Sequence, residues 1–98
     1  MTEEKTRLES SGDRWSVSGS LTMENVSTLL KASDGQPLPA SGVIDLAYVQ
    51  RVDSAAVALL LEWKRRAAAE GRSLSFSSVS PSMTSLAGLY GVEELLLP

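Results

Sequence analysis

Cysteine and histidine are both absent from this sequence of 98 residues. Their absence excludes disulfide bridges, thiolate and imidazole metal sites, cysteine nucleophiles and a Ser-His-Asp triad. The glycine-rich motifs that bind phosphates in P-loop and dinucleotide-binding proteins do not occur either. Because so much of the usual catalytic equipment is missing, we predict a protein without enzymatic activity, metal or cofactor.

Basic residues and long apolar runs are also scarce. Nine Lys and Arg residues stand against twelve Asp and Glu residues, and the net charge of −3 argues against a nucleic-acid-binding surface. No apolar run approaches the roughly 20 residues of a membrane-spanning helix. Residues 1–5 include an acidic pair and no apolar segment, so they do not resemble a signal peptide. The length predicts one soluble domain over residues 1–98, with residues 1–5 frayed.

The first third of the chain predicts a hairpin followed by a short helix. Residues 6–9 and 14–19 have strand character and flank a turn at 10–13. Thr22 is predicted to cap the helix, because a threonine hydroxyl can accept hydrogen bonds from the first free amides. The helix would end near residues 31–33, and its apolar face is predicted to consist of Met23, Val26, Leu29 and Leu30.

The rest of the chain alternates strands and helices. A loop at 34–42 with two prolines precedes a central strand at 43–46, a short connection at 51–53 and a helix at 54–70 ended by Gly71. Next comes a strand at 74–79. It is followed by a third helix, which begins at Ser80 and Pro81 and ends at Gly91, and by an apolar tail that we expect to pack on the core. This ββαβαβα order predicts an α/β domain with a mixed, mainly parallel sheet whose first strand is an antiparallel edge.

Functional residues are expected at the carboxyl ends of the parallel strands. Three loops, 19–22, 48–54 and 77–80, fit this description, and we expect them to lie near one another. The second loop places Asp53 and Ser54 at the start of the longest helix. One interpretation is that either residue only caps the helix; the other is that the Ser54 hydroxyl is exposed for a partner or for phosphorylation, since a phosphate is tolerated at a helix N-terminus.

The long helix has two distinct faces. At 100° per residue, one face is predicted to pack on the sheet through Ala56, Val57, Leu60, Trp63 and Ala67. The opposite face begins with the small residues Ala55 and Ala58, continues with Glu62 and becomes charged at Arg65 and Arg66. Alanine there is explained either by its helix propensity or by the close approach of another protein's backbone.

Other polar and aromatic residues have simpler interpretations. Asp45, Asp53, Glu93 and Glu94 are candidate acids or metal ligands, but isolated carboxylates at loop ends are usually caps or solvated surface. Trp15 and Trp63 are predicted to be core residues, and the basic run at 64–66 is predicted to be solvated.

The chain resembles the STAS domain, the fold of sulfate transporters and anti-sigma-factor antagonists, over nearly its whole length. The resemblance rests on the order of elements, on Val43-Ile44-Asp45-Leu46 followed by Val52-Asp53-Ser54, and on the apolar helix after it. Within the family it is most similar to the small MlaB proteins. This similarity rests on Ser18-Gly19-x-Leu21, Arg51-Val52-Asp53, Ala58-Leu59-Leu60-Leu61 and Leu86-Ala87-x-Leu89-Tyr90.

The resemblance implies a cytoplasmic, non-enzymatic regulator. MlaB-like proteins bind the ATPase subunit of an inner-membrane ABC transporter that moves phospholipids to maintain outer-membrane lipid asymmetry. In them the hydroxyl residue after the Asp, here Ser54, lies in that contact. The partner-binding residues expected from the resemblance and the helix pattern are Thr22, Asp53, Ser54, Ala55, Ala58 and Glu62.

A second family role stays open. In anti-sigma-factor antagonists the serine matching Ser54 is phosphorylated by a kinase that is also the binding partner. Antagonists commonly have a glycine soon after this serine, whereas this chain has Ala55 and Ala56. An acidic residue common at the position of Thr22 is also replaced.

Overall fold

Strands and helices alternate along residues 6–96, the part of the chain that the computed structural model describes. The elements are β1 (Arg7–Ser10), β2 (Arg14–Leu21), α1 (Val26–Asp34), β3 (Val43–Val52), α2 (Ser54–Ala69), β4 (Ser75–Ser77), α3 (Pro81–Leu89) and α4 (Glu93–Leu96). The predicted order is confirmed, with α4 formed by the apolar tail. Residues 1–5, predicted to be frayed, lie outside the described residues.

The strands form one mixed sheet in the order β1-β2-β3-β4. β1 pairs antiparallel with β2, so that Leu8 is opposite Val17, and the pairs β2–β3 and β3–β4 are parallel. This confirms the predicted fold class, including the antiparallel hairpin strand at one edge. It also places the carboxyl ends of β2 and β3 side by side, where Leu21 pairs with Val52.

The core lies between this sheet and the helices. Alternate residues of β2 are buried, and the five residues of α2 predicted to pack on the sheet are all at most 4% exposed. The rings of Trp15 and Trp63 meet edge-to-face with 5.6 Å between centroids, which confirms that both are core residues. Leu96 is also buried and anchors α4 in the same cluster.

The central strand is longer than predicted, and the fourth strand is shorter. β3 continues through residues 51 and 52, which were predicted to be a connection, while β4 comprises only three residues. The pairing with β2 shifts between Ser16 and Ser18 and again between Gly19 and Ser20, and each shift adds one residue to β3. These irregularities break the period-two pattern that identifies a strand, and the Asp45 carboxylate stabilises the first by accepting from the Ala47 amide at 3.0 Å.

The first helix begins later than predicted. Its N-cap is Asn25, and Thr22 lies before the helix, in a turn in which its carbonyl accepts from the amides of Asn25 and Val26. Met23 is therefore 75% exposed and is not part of the buried helix face. The prediction that Thr22 caps the helix is wrong. The amides of Asn25 and Val26 donate to the backbone carbonyl of Thr22 and not to its hydroxyl.

The remaining helix ends follow the predictions. Gly71 adopts φ +67° just after α2, and the Ser80 hydroxyl accepts from the Met83 amide at 3.1 Å, with Pro81 in the first turn of α3. No helix within residues 6–96 has both the length and the apolar character needed to cross a bilayer.

Arg66 departs from the predicted solvated face of α2. Its guanidinium donates to the carbonyls of Ser33 and Gln36, at 2.8 and 2.6 Å, and so holds the end of α1 against α2. A single guanidinium can reach both carbonyls because its donors form a rigid fork. Arg66 is therefore a structural residue.

Candidate functional site

Asp53 joins three parts of the chain at the start of α2. Its carboxylate accepts from the Ala55 amide at 2.8 Å and from the Met23 amide at 3.0 Å. Its own amide donates to the Leu21 carbonyl at 3.3 Å. Asp53 is thus the N-cap of α2, one of the roles considered from the sequence. These bonds hold the β2–α1 turn and the first turn of α2 in one fixed arrangement.

Ser54 is the first residue of α2 and is exposed to solvent. Its hydroxyl makes no hydrogen bond with any of residues 6–96, because Asp53 already caps the helix. The sequence predicted that this side chain is exposed, and in the structure it is. The hydroxyl can therefore donate to, or accept from, a group of another molecule.

The outward face of α2 follows the predicted change from small to charged residues. Ala58 is exposed, Ala55 is half-buried, and Glu62 forms an ion pair and hydrogen bonds with Arg65 along the same face. The hydrogen bond from Arg65 lowers the pKa of the Glu62 carboxyl below its ordinary value, and the positive charge of Arg65 acts in the same direction. Because Glu62 is already paired with Arg65, the part of this face that remains available to a partner is the end that carries Ala55 and Ala58.

A shallow groove of about 390 Å³ runs beside Ser54, and we call it the α2 groove. One wall comes from α2, and the other is the segment that follows α3. Its lining residues are Ser54, Val57, Ala58, Leu61, Tyr90 and Val92. Tyr90 is 52% exposed and contributes to this lining. The wall formed by Tyr90 and Val92 was missed because it depends on how α3 packs against α2.

A second hollow, of about 270 Å³, is lined in part by Asp53. It contains Thr22 together with Met23, Asn25 and Arg51. The predicted partner-binding residues therefore surround the start of α2: Ser54 and Ala58 line the groove, while Thr22 and Asp53 line the hollow. Met23 adds an exposed apolar side chain that the helical interpretation of residues 22–33 had placed inside.

Two of the three loops expected to meet do so. The hydrogen bonds of Asp53 with Met23 and Leu21 link the loop after β2 to the loop after β3. β4, however, ends at Ser77 opposite Asp45, whereas β3 continues to Val52. At about 3.3 Å per residue, the end of β4 therefore lies roughly 20 Å short of the end of β3 along the sheet. The expectation that the third loop joins the site is wrong because β4 is short.

The candidate acids have structural partners or stand apart from one another. Asp45 accepts from the Ala47 amide and from the Ser77 hydroxyl, and Asp53 accepts from two amides. Within residues 6–96, no three acidic side chains converge as a metal site would require. The arrangement around Ser54 offers an exposed hydroxyl on a backbone held by hydrogen bonds, an alanine surface and an apolar groove, which are features suited to binding a protein.

Comparison with known proteins identifies the family of this fold. A sequence model of the family described as "Mlab, STAS domain" matches residues 5–98, which confirms the resemblance inferred from the sequence. No curated protein sequence matches the chain significantly. Among solved structures, the anti-sigma factor antagonist SpoIIAA in its unphosphorylated form has a TM-score of 0.70 at 19% identity, and the match covers 95% of this chain and 86% of SpoIIAA. At this identity the likeness concerns the fold.

Part of a larger protein shares the same fold. Two crystal structures of Mglu, one of them in its native form, match with TM-scores of 0.56 and 0.55 at 25% and 22% identity. These matches cover 76% and 74% of this chain but 20% and 22% of Mglu. The likeness is thus to about a fifth of the Mglu chain.

Proposed function

Because the chain belongs to the Mlab, STAS domain family, whose domains are protein-interaction modules, we propose that it is a non-enzymatic regulatory and assembly subunit of an ABC transporter. In this proposal it binds the cytoplasmic ATPase subunit of an inner-membrane complex for phospholipid trafficking. Its association with the membrane is peripheral and depends on that partner.

The observation that carries this proposal is that the Ser54 hydroxyl makes no hydrogen bond within residues 6–96 and lies on a helix start that Asp53 holds in place. Asp53 caps α2 and bonds the Met23 amide, so Ser54 is exposed without being needed by its own helix. The exposed Ala58 lies one turn further along and allows the surface of a partner to come close. A preorganised surface of this kind loses little conformational entropy when a partner binds.

Regulation follows if the ATPase has two conformations that fit this surface differently. Binding shifts the equilibrium of the ATPase toward the better-fitting conformation, by no more than the difference between the two binding free energies. The start of α2 would then act as a rigid wedge whose presence favours one state of the ATPase. No chemical step on this chain is needed.

The test is a binding measurement with the purified ATPase subunit of the phospholipid transporter from the same genome. We expect Ser54→Arg to weaken binding at least about tenfold, because a long charged side chain occupies the contact. Ser82→Arg is the matched control, since Ser82 is also an exposed serine in the first turn of a helix, α3, and does not line the groove. Equal binding by folded Ser54→Arg and wild-type protein would refute this contact.

A second candidate function is an anti-sigma-factor antagonist switched by phosphorylation of Ser54. The same free hydroxyl supports it, because a kinase requires an accessible acceptor and a helix N-terminus tolerates the added negative charge. Ala55 follows this serine, where a glycine would give a kinase more room. Incubation with the cognate anti-sigma factor kinase and ATP would then add the mass of one phosphate, and Ser54→Ala would abolish the addition.

A further inference from the structure

The two stretches of chain that supply the walls of the α2 groove contain acidic residues and no basic residue. Residues 53–63 and 79–96 contain the carboxylates of Asp53, Glu62, Glu93 and Glu94, and neither stretch contains a Lys or Arg residue. After Arg72 the whole chain lacks basic residues. Glu62 is paired with Arg65, and Asp53 is bonded to amides. These two stretches together contain four acidic residues and no basic one, whereas the whole chain has a net charge of −3.

Glu93 and Glu94 are the unneutralised part of this charge. Both are exposed, and neither forms an ion pair with any residue of the described chain. They follow directly on Val92, which lines the groove, and Glu93 lies close to Gly88 at the end of α3. Because these two free carboxylates belong to the residues next to a lining residue of the groove, we call them the acidic rim; the floor of the groove is made by Ala58, Val57 and Leu61.

We infer that the α2 groove receives an apolar side chain from a segment of the protein partner that also carries Lys or Arg residues, which pair with Glu93 and Glu94. This inference rests on the proposed function and names the chemistry of the contact. The groove is shallow and open, so it accepts a side chain projecting from another protein surface. The acidic rim attracts a basic segment and sets its orientation.

The same charges disfavour two other occupants. In a two-fold dimer of this chain, the groove would face its own copy, and the carboxylates at both rims would repel each other. An anionic lipid surface would be repelled in the same way. A basic protein segment satisfies both the apolar floor and the acidic rim.

The experiment compares association rates of the ATPase subunit at low and high ionic strength. Glu93→Lys/Glu94→Lys is expected to slow association about tenfold at low salt, with a difference that shrinks at high salt because the rim charges are then screened. The matched control is Asp13→Lys/Asp34→Lys, which changes the net charge equally at two exposed residues outside the stretches 53–63 and 79–96 that supply the groove walls. Glu93→Gln/Glu94→Gln removes the charge but preserves side-chain shape, and it should slow association a few-fold. It controls for the possibility that the Lys variant unfolds α4.

The outcomes separate this inference from the proposed function. If wild-type protein binds and Ser54→Arg weakens binding, but both glutamate variants associate like wild type, the inference is wrong and the function stands. Equal slowing by the Asp13/Asp34 control would also overturn it, since only net charge would then matter. If wild-type protein does not bind the ATPase at all, the proposed function itself fails. Concentration-dependent dimers that disappear on filling the groove with Ala58→Phe would assign the groove to a second copy.

Discussion

The Asp53 carboxylate bonds the Met23 amide at 3.0 Å, across a separation of 30 residues. Its other oxygen caps α2 through the Ala55 amide. The ends of β2 and β3 are therefore joined by one side chain at the point where the candidate site begins. Because the same carboxylate frees Ser54 from capping, it serves both the stability of the fold and the availability of the site.

Asp53→Ala should destabilise the protein by about 1–2 kcal/mol from loss of the helix cap alone. The Met23 amide also loses its acceptor, and the turn before α1 should become more mobile. Urea denaturation measures the first effect, and amide hydrogen exchange of residues 22–25 measures the second. Asp53→Asn keeps one carbonyl oxygen as an acceptor and should retain part of the stability. Unchanged exchange at Met23 in Asp53→Ala would contradict the role of this bond.

The sequence identified the start of α2 because its signals are local. An Asp-Ser pair before a continuous apolar run marks a helix N-terminus, and the apolar positions of α2 predicted its buried face. The start of α1 was misplaced because the Met23 amide bonds Asp53, which is far away in the sequence. Propensity at residues 22–25 carries no information about that partner.

The other differences also arise from tertiary structure. The two irregularities of β3 depend on its pairing with β2, and the groove depends on Tyr90 lying beside α2. The sequence alone predicts Arg66 to be a surface charge, but the packing of α1 on α2 places the Ser33 carbonyl within hydrogen-bond distance of its guanidinium. Pairing, helix packing and side-chain clamps all join residues distant in sequence, so periodicity does not reveal them.

Gly42→Ala should be considerably more destabilising than Gly12→Ala. Both glycines have positive φ, +73° and +88°, so an alanine pays about 1–2 kcal/mol for the left-handed conformation at either position. At Gly42 the added Cβ would also lie 2.7 Å from the Ser73 carbonyl oxygen, whereas at Gly12 it meets nothing within 4 Å. Urea midpoints of the two variants give the comparison. Equal midpoints would show that the backbone at Gly42 moves away without cost.

The pKa of Glu62 should rise when Arg65 is replaced by Gln. In the folded protein, the Arg65 hydrogen bond holds this pKa below the ordinary value of about 4.3. A lowered pKa stabilises the folded state above the unfolded pKa, and this contribution is lost as the pH falls through the folded pKa. The stability difference between wild type and Arg65→Gln should therefore vanish in acid. Carboxyl carbon chemical shifts in an NMR titration follow Glu62 directly, and an unchanged Glu62 midpoint in Arg65→Gln would contradict this.

The Trp63–Ser33 hydrogen bond should appear as a coupling energy in the core. The indole N–H of Trp63 donates to the Ser33 hydroxyl at 2.9 Å, and that hydroxyl donates onward to the Leu30 carbonyl at 2.7 Å. Ser33→Ala leaves a buried N–H without an acceptor, which costs about 1–3 kcal/mol, but the cost disappears once Trp63 is already Phe. A double-mutant cycle of Ser33→Ala and Trp63→Phe, followed by urea unfolding, should therefore give a coupling of about 1–3 kcal/mol.

Trp15 provides the control for this cycle, because its buried indole N–H has no hydrogen-bond partner within residues 6–96. Replacing it with Phe removes volume from the same core but leaves the Ser33 bond in place. The cycle of Ser33→Ala with Trp15→Phe should then be additive to within about 0.5 kcal/mol. Equal coupling in the two cycles would mean that Ser33 acts through packing around both rings. Coupling confined to Trp63 would show that this hydrogen bond, beside those of Arg66, helps to hold α1 against α2, the helix that presents Ser54.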